Sequence, residues 1–119
     1  MVEGYINAGK RPLIEVTVLG SQAEASVLAI LDTGFDGDIS LPLEIAVGLG
    51  LTLDSAIKME LADGSVKLEL VFTGKVLWEN KSRNVDILIT TSEDALIGTG
   101  LLDEHSVHLD FRNNQVKID

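Results

Sequence analysis

Short aliphatic runs broken by Gly, Asn and Asp recur along the whole chain, and this pattern restricts it to a β-rich fold. Leu13–Val18 alternates, with Ile14, Val16 and Val18 on one face against Glu15 and Thr17 on the other. The stretch LGSQ (Leu19–Gln22) predicts a turn into a second strand, Glu24–Leu31. The last residues of that strand are apolar on both faces, as a strand buried mid-domain requires. Further strands are expected at Ile39–Leu41, Ile57–Leu61, Val66–Val71, Lys75–Trp78 and Val85–Ile89. Val107–Phe111 and Gln115–Ile118 read as a closing hairpin around RNN. Asp63-Gly64 sits between two apolar runs and is a strong hairpin signal. One or two short helices are expected. Pro42 opens one that Leu43–Leu51 can carry for about two turns, with Gly50 as its stop; TGLLDEHS (Thr99–Ser106) is the other. Many short strands with turn signals predict a mainly β domain, a small barrel or sandwich.

The chain has 119 residues, which predicts a single domain spanning 1–119. Its formal charge of −10 argues against nucleic acid or an anionic membrane surface as partner. There are no cysteines, which excludes disulfides, thiolate chemistry and Cys-type zinc sites. The N-terminal stretch lacks a basic segment followed by an apolar one, and no aliphatic run is long enough to span a bilayer. A soluble, cytoplasmic protein is the expectation.

The chemistry concentrates in AILDTGFDGDISLP (Ala29–Pro42), where three aspartates follow the apolar strand. As a calcium loop starting at Asp32 it fails, because Gly34 and Leu43 stand where an EF-hand needs oxygen ligands. Asp36 and Asp38 read as solvated turn residues, since Asp and Gly dominate turns for conformational reasons. Asp32 differs. A carboxylate at the end of a buried strand is costly to ionise unless partnered. Thr33 supplies a hydroxyl, and Gly34 permits close backbone approach.

The sequence resembles the retropepsin-like (retroviral-type) aspartic proteases at three places in the right order. LAILDTG (Leu28–Gly34) matches the apolar strand that runs into their catalytic Asp-Thr-Gly. MELADGSVKL (Met59–Leu68) matches the flap hairpin, and ALIGTGLLDEH (Ala95–His105) matches the apolar pair, Gly and short helix near their C-terminus. The resemblance implies a small closed β-barrel of the retropepsin-like acid protease type with one or two short helices. It also implies a homodimer, because the chain carries one Asp-Thr-Gly and the site needs two. Two Asp32 carboxylates, one per subunit, then share a proton and activate a water. Thr33 bridges the two loops, Gly34 brings its N–H to the carboxylate, and Gly98 packs tightly beneath the Asp32 loop. The hairpin tip Ala62, Asp63, Gly64 and Ser65 closes over an extended peptide or protein segment. No cofactor or metal is implied.

One departure stands out. Phe35 follows Asp-Thr-Gly where the family usually has Ala or Ser. It offers no hydroxyl to the carboxylate's outer oxygen, which is expected to raise the working pH. Its bulk is expected to narrow the cleft, making it a candidate substrate contact. Asp63 reads first as an ordinary turn residue; as a substrate contact it favours basic peptides. His105 and His108, with Asp103 and Asp110 nearby, share no face by spacing, so a metal cluster is not expected. Trp78 reads as a packing residue. GTG (Gly98–Gly100) fails the dinucleotide fingerprint. The alternative to an endopeptidase is a weak or inactive retropepsin-like domain that dimerises and binds peptides. An acidic all-β adaptor of another fold is the third reading.

Overall fold

In a computed structural model, the described residues are 1–119, with the side chain of Met59 outside the description. The strands are β1 (Val2–Ile6), β2 (Pro12–Leu19), β3 (Glu24–Leu31), β4 (Ile39–Pro42), β5 (Thr52–Glu60), β6 (Val66–Trp78), β7 (Lys81–Thr90), β8 (Ala95–Ile97), β9 (Val107–Asp110) and β10 (Gln115–Ile118). Two single-turn helices interrupt them, α1 (Leu43–Ala46) and α2 (Thr99–Leu102). The sheet order is β5-β6-β7-β4-β8-β3-β2-β1-β10-β9, and an added β6–β2 pairing closes β6, β7, β4, β8, β3 and β2 into a six-stranded barrel. The β5 edge leaves the barrel as a hairpin with the first half of β6, and β1-β10-β9 leaves it as a three-stranded extension.

Alternation assigns the two faces of the barrel wall. Leu31, Ile97, Ile39, Ile87 and Phe72 are register partners across five strands. The first four are buried and form the centre of the core with Ile14, Val18, Leu41, Val76 and Leu101. Burying each such side chain contributes about 1.5–3 kcal/mol, which is why these strands are apolar on the inner face without interruption.

Several elements differ from expectation. Lys75–Trp78 is not a separate strand, because β6 runs unbroken through Thr73-Gly74-Lys75. Gly74 marks close packing there: a Cβ would lie 2.8 Å from Ile87 Cδ1 and 3.0 Å from a Leu51 methyl. The helix expected to fill Leu43–Leu51 makes only one turn, since Val47 returns to extended backbone and Gly48 and Gly50 take φ of +91° and +77°. α2 also stops early, with Asp103 extended and Glu104 at φ +67°. Strands β1 and β8 were not marked by any local pattern.

Candidate active site

Asp32 sits one residue beyond β3, and its N–H donates to the Ile97 carbonyl of β8 at 2.9 Å, so the β3–β8 ladder holds its backbone. Its Oδ1 accepts the Gly34 N–H at 2.9 Å, and the Phe35 N–H donates to its carbonyl at 3.1 Å. The Asp-Thr-Gly turn therefore clamps its own carboxylate. Asp32 is partly exposed, and Thr33 and Gly34 are exposed beside it.

The loop is fastened from below by the start of α2. Gly98 N–H donates to the Asp38 carbonyl at 3.0 Å, Thr99 N–H to the Phe35 carbonyl at 2.8 Å, and Gly100 N–H to the Gly37 carbonyl at 3.0 Å. Thr99 Oγ1 also donates to the Phe35 carbonyl at 3.3 Å. These are N–H groups that a helix start leaves unpaired, and here they plug into loop carbonyls. Gly98 is buried, and a Cβ on it would meet the Gly37 and Phe35 carbonyl oxygens and the Phe35 ring. Only glycine fits.

Asp38 is not the solvated turn residue expected from its composition. Its Oδ2 accepts the Asp86 N–H of β7 at 2.9 Å, tying the loop to a strand far away in sequence. Asp36 is exposed. Phe35 is half-buried, with its ring against Gly37 and Gly98, so part of its bulk is absorbed within the loop.

Alternation also identifies residues that motif reasoning missed. Ile30, Leu96, Ser40, Leu88 and Val71 are register partners across β3, β8, β4, β7 and β6, on the face opposite the core row. Asp32 follows Ile30 by two positions and continues that face. On the same face, Val71 leads outward to Ile57, Glu69 and Lys67 of the β5–β6 hairpin. The result is a wall running from the Asp32 loop to the hairpin, apolar in the barrel apart from Ser40 and charged on the hairpin, where Lys67 pairs with Glu69. The signal was available only through strand register.

The hairpin tip is a three-residue loop of Ala62, Asp63 and Gly64. Gly64 N–H donates to the Leu61 carbonyl at 2.9 Å, Leu61 N–H to the Ser65 carbonyl at 2.8 Å, and Gly64 takes φ +86°. Asp63 Oδ1 accepts from Ser65 Oγ at 2.6 Å and from Ser65 N–H at 2.9 Å. These bonds hold the Asp63 carboxyl below its ordinary range. All of Ala62–Ser65 is exposed.

His105 is a packing residue of a specific kind. Trp78 Nε1–H donates to its Nε2 at 3.1 Å, which leaves the proton on Nδ1, 3.0 Å from the Asp119 carbonyl and 3.4 Å from Glu79 Oε1. Trp78 itself is buried. Among the described residues no three His, Cys, Asp or Glu converge on a possible metal position. Asp32 lines neither the cavity of about 580 Å³ beside Gly20 and Gly74 nor the one of about 330 Å³ beside α1.

No protein-family model and no curated protein matches the chain. Solved structures do. A retropepsin-like aspartic protease from Rickettsia conorii superposes with a TM-score of 0.68 at 18% identity, over 97% of this chain and 85% of that one. EIAV protease, complexed with the inhibitor HBY-793, gives a TM-score of 0.58 at 17% identity, over 82% of this chain and 90% of that one. The fold is that of the retropepsin-like aspartic proteases.

Proposed function

We propose that the chain is one half of a homodimeric aspartic endopeptidase acting on extended peptide segments. The observation that carries this reading is the placement of Asp32. It is held at the end of a barrel strand, clamped by Gly34, on the face that bears the apolar wall. The other well-fixed carboxylate of the loop, Asp38, is turned away to Asp86. The fold shared with two aspartic proteases supports the same chemistry.

In this reading the second carboxylate is the partner's Asp32. Two such groups at close range cannot both ionise cheaply and so hold one proton between them. The ionised one takes a proton from a water as its oxygen adds to the scissile carbonyl carbon, and the protonated one donates to the carbonyl oxygen. Collapse of the resulting diol passes a proton to the amide nitrogen, breaks the C–N bond and leaves an acid and an amine. Thr33 bridges the two loops. The hairpin tip Ala62–Ser65 closes as the flap, Phe35 offers its exposed edge, and Leu96, Ser40 and Leu88 receive side chains of the substrate.

The test pairs a solution mass with incubation against a mixed peptide library at several pH values. A dimer that cleaves, and loses about 10²–10⁴-fold or more of that rate in Asp32→Asn with its circular dichroism unchanged, is the expected result. Cleavage that survives Asp32→Asn would reassign the chemistry. Phe35 favours one competing reading, a dimerising peptide-binding module, because it gives the carboxylate no hydroxyl. A dimer that binds peptides and cleaves none would establish that reading.

A further inference from the structure

Of the chain's two histidines, His108 is exposed, while the His105 side chain is only 12% exposed and bonded at both ring nitrogens. Trp78 stands edge-on to it, with ring centroids 5.8 Å apart and planes at 80°. Nε2 accepts the Trp78 N–H, and Nδ1 donates to the Asp119 carbonyl. Only the neutral imidazole can do both, since the protonated ring is a donor at each nitrogen. Uptake of one proton therefore sets two donors against each other across 3.1 Å and leaves the buried indole N–H without an acceptor. The Nδ1 side responds in the opposite sense. It donates in either state, and the charged ring forms an ion pair with Glu79 Oε1, 3.4 Å away.

Charges of both signs surround the ring. Lys81 and Arg83 of β7 line a cavity of about 460 Å³ together with Trp78, Glu79 and His105, and both oppose a further cation there. Arg83 is itself committed to the α2 carbonyls of Leu101 and Gly100, at 3.3 and 3.5 Å. With Glu79, the acidic groups that favour a charged ring are Asp103 and Glu104 of its own segment and Asp119 across from it.

We infer that the Trp78–His105 pair is an acid-sensitive latch. It fastens the Asp103–Ser106 link to the barrel while His105 is neutral, and it lets go of Trp78 when the ring takes up a proton. The link joins α2, whose start supports the Asp32 loop, to β9. Its backbone bonds all stay outside the barrel wall. His105 N–H donates to the Leu102 carbonyl at 3.0 Å, and Ser106 and Asp119 exchange bonds at 3.2 and 2.9 Å. Among the described residues, the His105 ring alone carries bonds from the link to the end of β6 and the turn after it. Histidine is the side chain that changes charge nearest neutral pH, so a modest acidification works this latch. The inference goes beyond the endopeptidase reading and does not depend on it, since it needs one chain and no substrate.

Nitrogen-15 NMR of the wild type at about pH 8 reads the tautomer directly. A neutral His105 with its proton on Nδ1 is expected; a proton on Nε2 would overturn the latch. Titration to about pH 5 then tests the release. The chain's one indole N–H resonance is expected to move with the same midpoint as the His105 ring protons. Amide protection at Ser106 and Asp119, corrected for the intrinsic pH dependence of exchange, is expected to fall by about tenfold across that step. His105→Gln keeps one acceptor and one donor and does not titrate, so both readouts are expected to stay flat there. The latch is overturned if His105 takes up no proton in this range or if the indole resonance ignores its titration. It is equally overturned if Ser106 and Asp119 stay protected, or if the Gln variant shows the same response. Should His105→Gln fail to fold, the wild-type tautomer and the shared midpoint decide alone.

Discussion

The Asp32 loop and the β5–β6 hairpin face the same wall, yet they are held in opposite ways. The loop is fastened by bonds to distant parts of the chain: Ile97 of β8, Asp86 of β7, and Gly98, Thr99 and Gly100 at the start of α2. The hairpin tip is held only by its own residues, through Asp63, Ser65 and the Leu61–Gly64 turn. Its outer face exposes Val66, Leu68 and Leu70 at 65%, 58% and 42%. Local stability in a fold varies with how many long-range contacts a segment makes. The loop is thus part of the globally cooperative core, and the hairpin can open without unfolding it. That division is what the proposed endopeptidase would need, with one carboxylate fixed and a hairpin free to open.

The contrast can be broken most forcefully at Gly98. Gly98→Ala drives a Cβ into backbone carbonyls that cannot rotate away, so a loss of about 1–3 kcal/mol in global stability is expected, measured by denaturant unfolding. Asp38→Ala removes the bond to Asp86 N–H and leaves that donor unpaired, for an expected loss of about 1–3 kcal/mol and a fall in any peptidase rate. Gly64→Ala has open space around it, so its cost arises only from φ +86°. About 1–2 kcal/mol is expected there, read as faster amide exchange in the hairpin with global unfolding barely changed. If Gly64→Ala lowers global stability as much as Gly98→Ala, the two regions are not independent.

Acid supplies the finest test. The Asp63 carboxyl is held below its ordinary range, so its bonds to Ser65 stabilise the tip at and above the usual carboxylate range and are lost as pH falls through the lowered value. Amide exchange at Gly64 and Ser65 is expected to accelerate there. Ser65→Ala removes the Oγ bond and is expected to weaken the hairpin's acid response, leaving the part that the Ser65 N–H bond to Asp63 carries.

What the sequence disclosed was local. Glu24–Leu31 and Gln115–Ile118 match β3 and β10 because short apolar runs bounded by turn residues need no partner to be read. Asp32-Thr33-Gly34 and Ala62–Ser65 were legible because turn chemistry is confined to a few neighbouring residues. What stayed hidden was non-local. β8 is three residues long and exists only because β3 and β4 flank it. Asp38 looked like turn punctuation, since nothing near it in sequence announces the Asp86 N–H. The wall of Ile30, Leu96, Ser40, Leu88 and Val71 requires the register of five strands. The partnership of Trp78 with His105 likewise joins residues from separate elements.

That last pair has a spectroscopic consequence. Trp78 is the single tryptophan of the chain, so the protein's indole emission comes from one position, buried at the end of β6 and hydrogen-bonded to His105. The fluorescence of the native chain is therefore a label-free gauge of whether the segment leading into β9 is docked. A red shift in emission would mark its release, even where the barrel's far-ultraviolet signal has not changed.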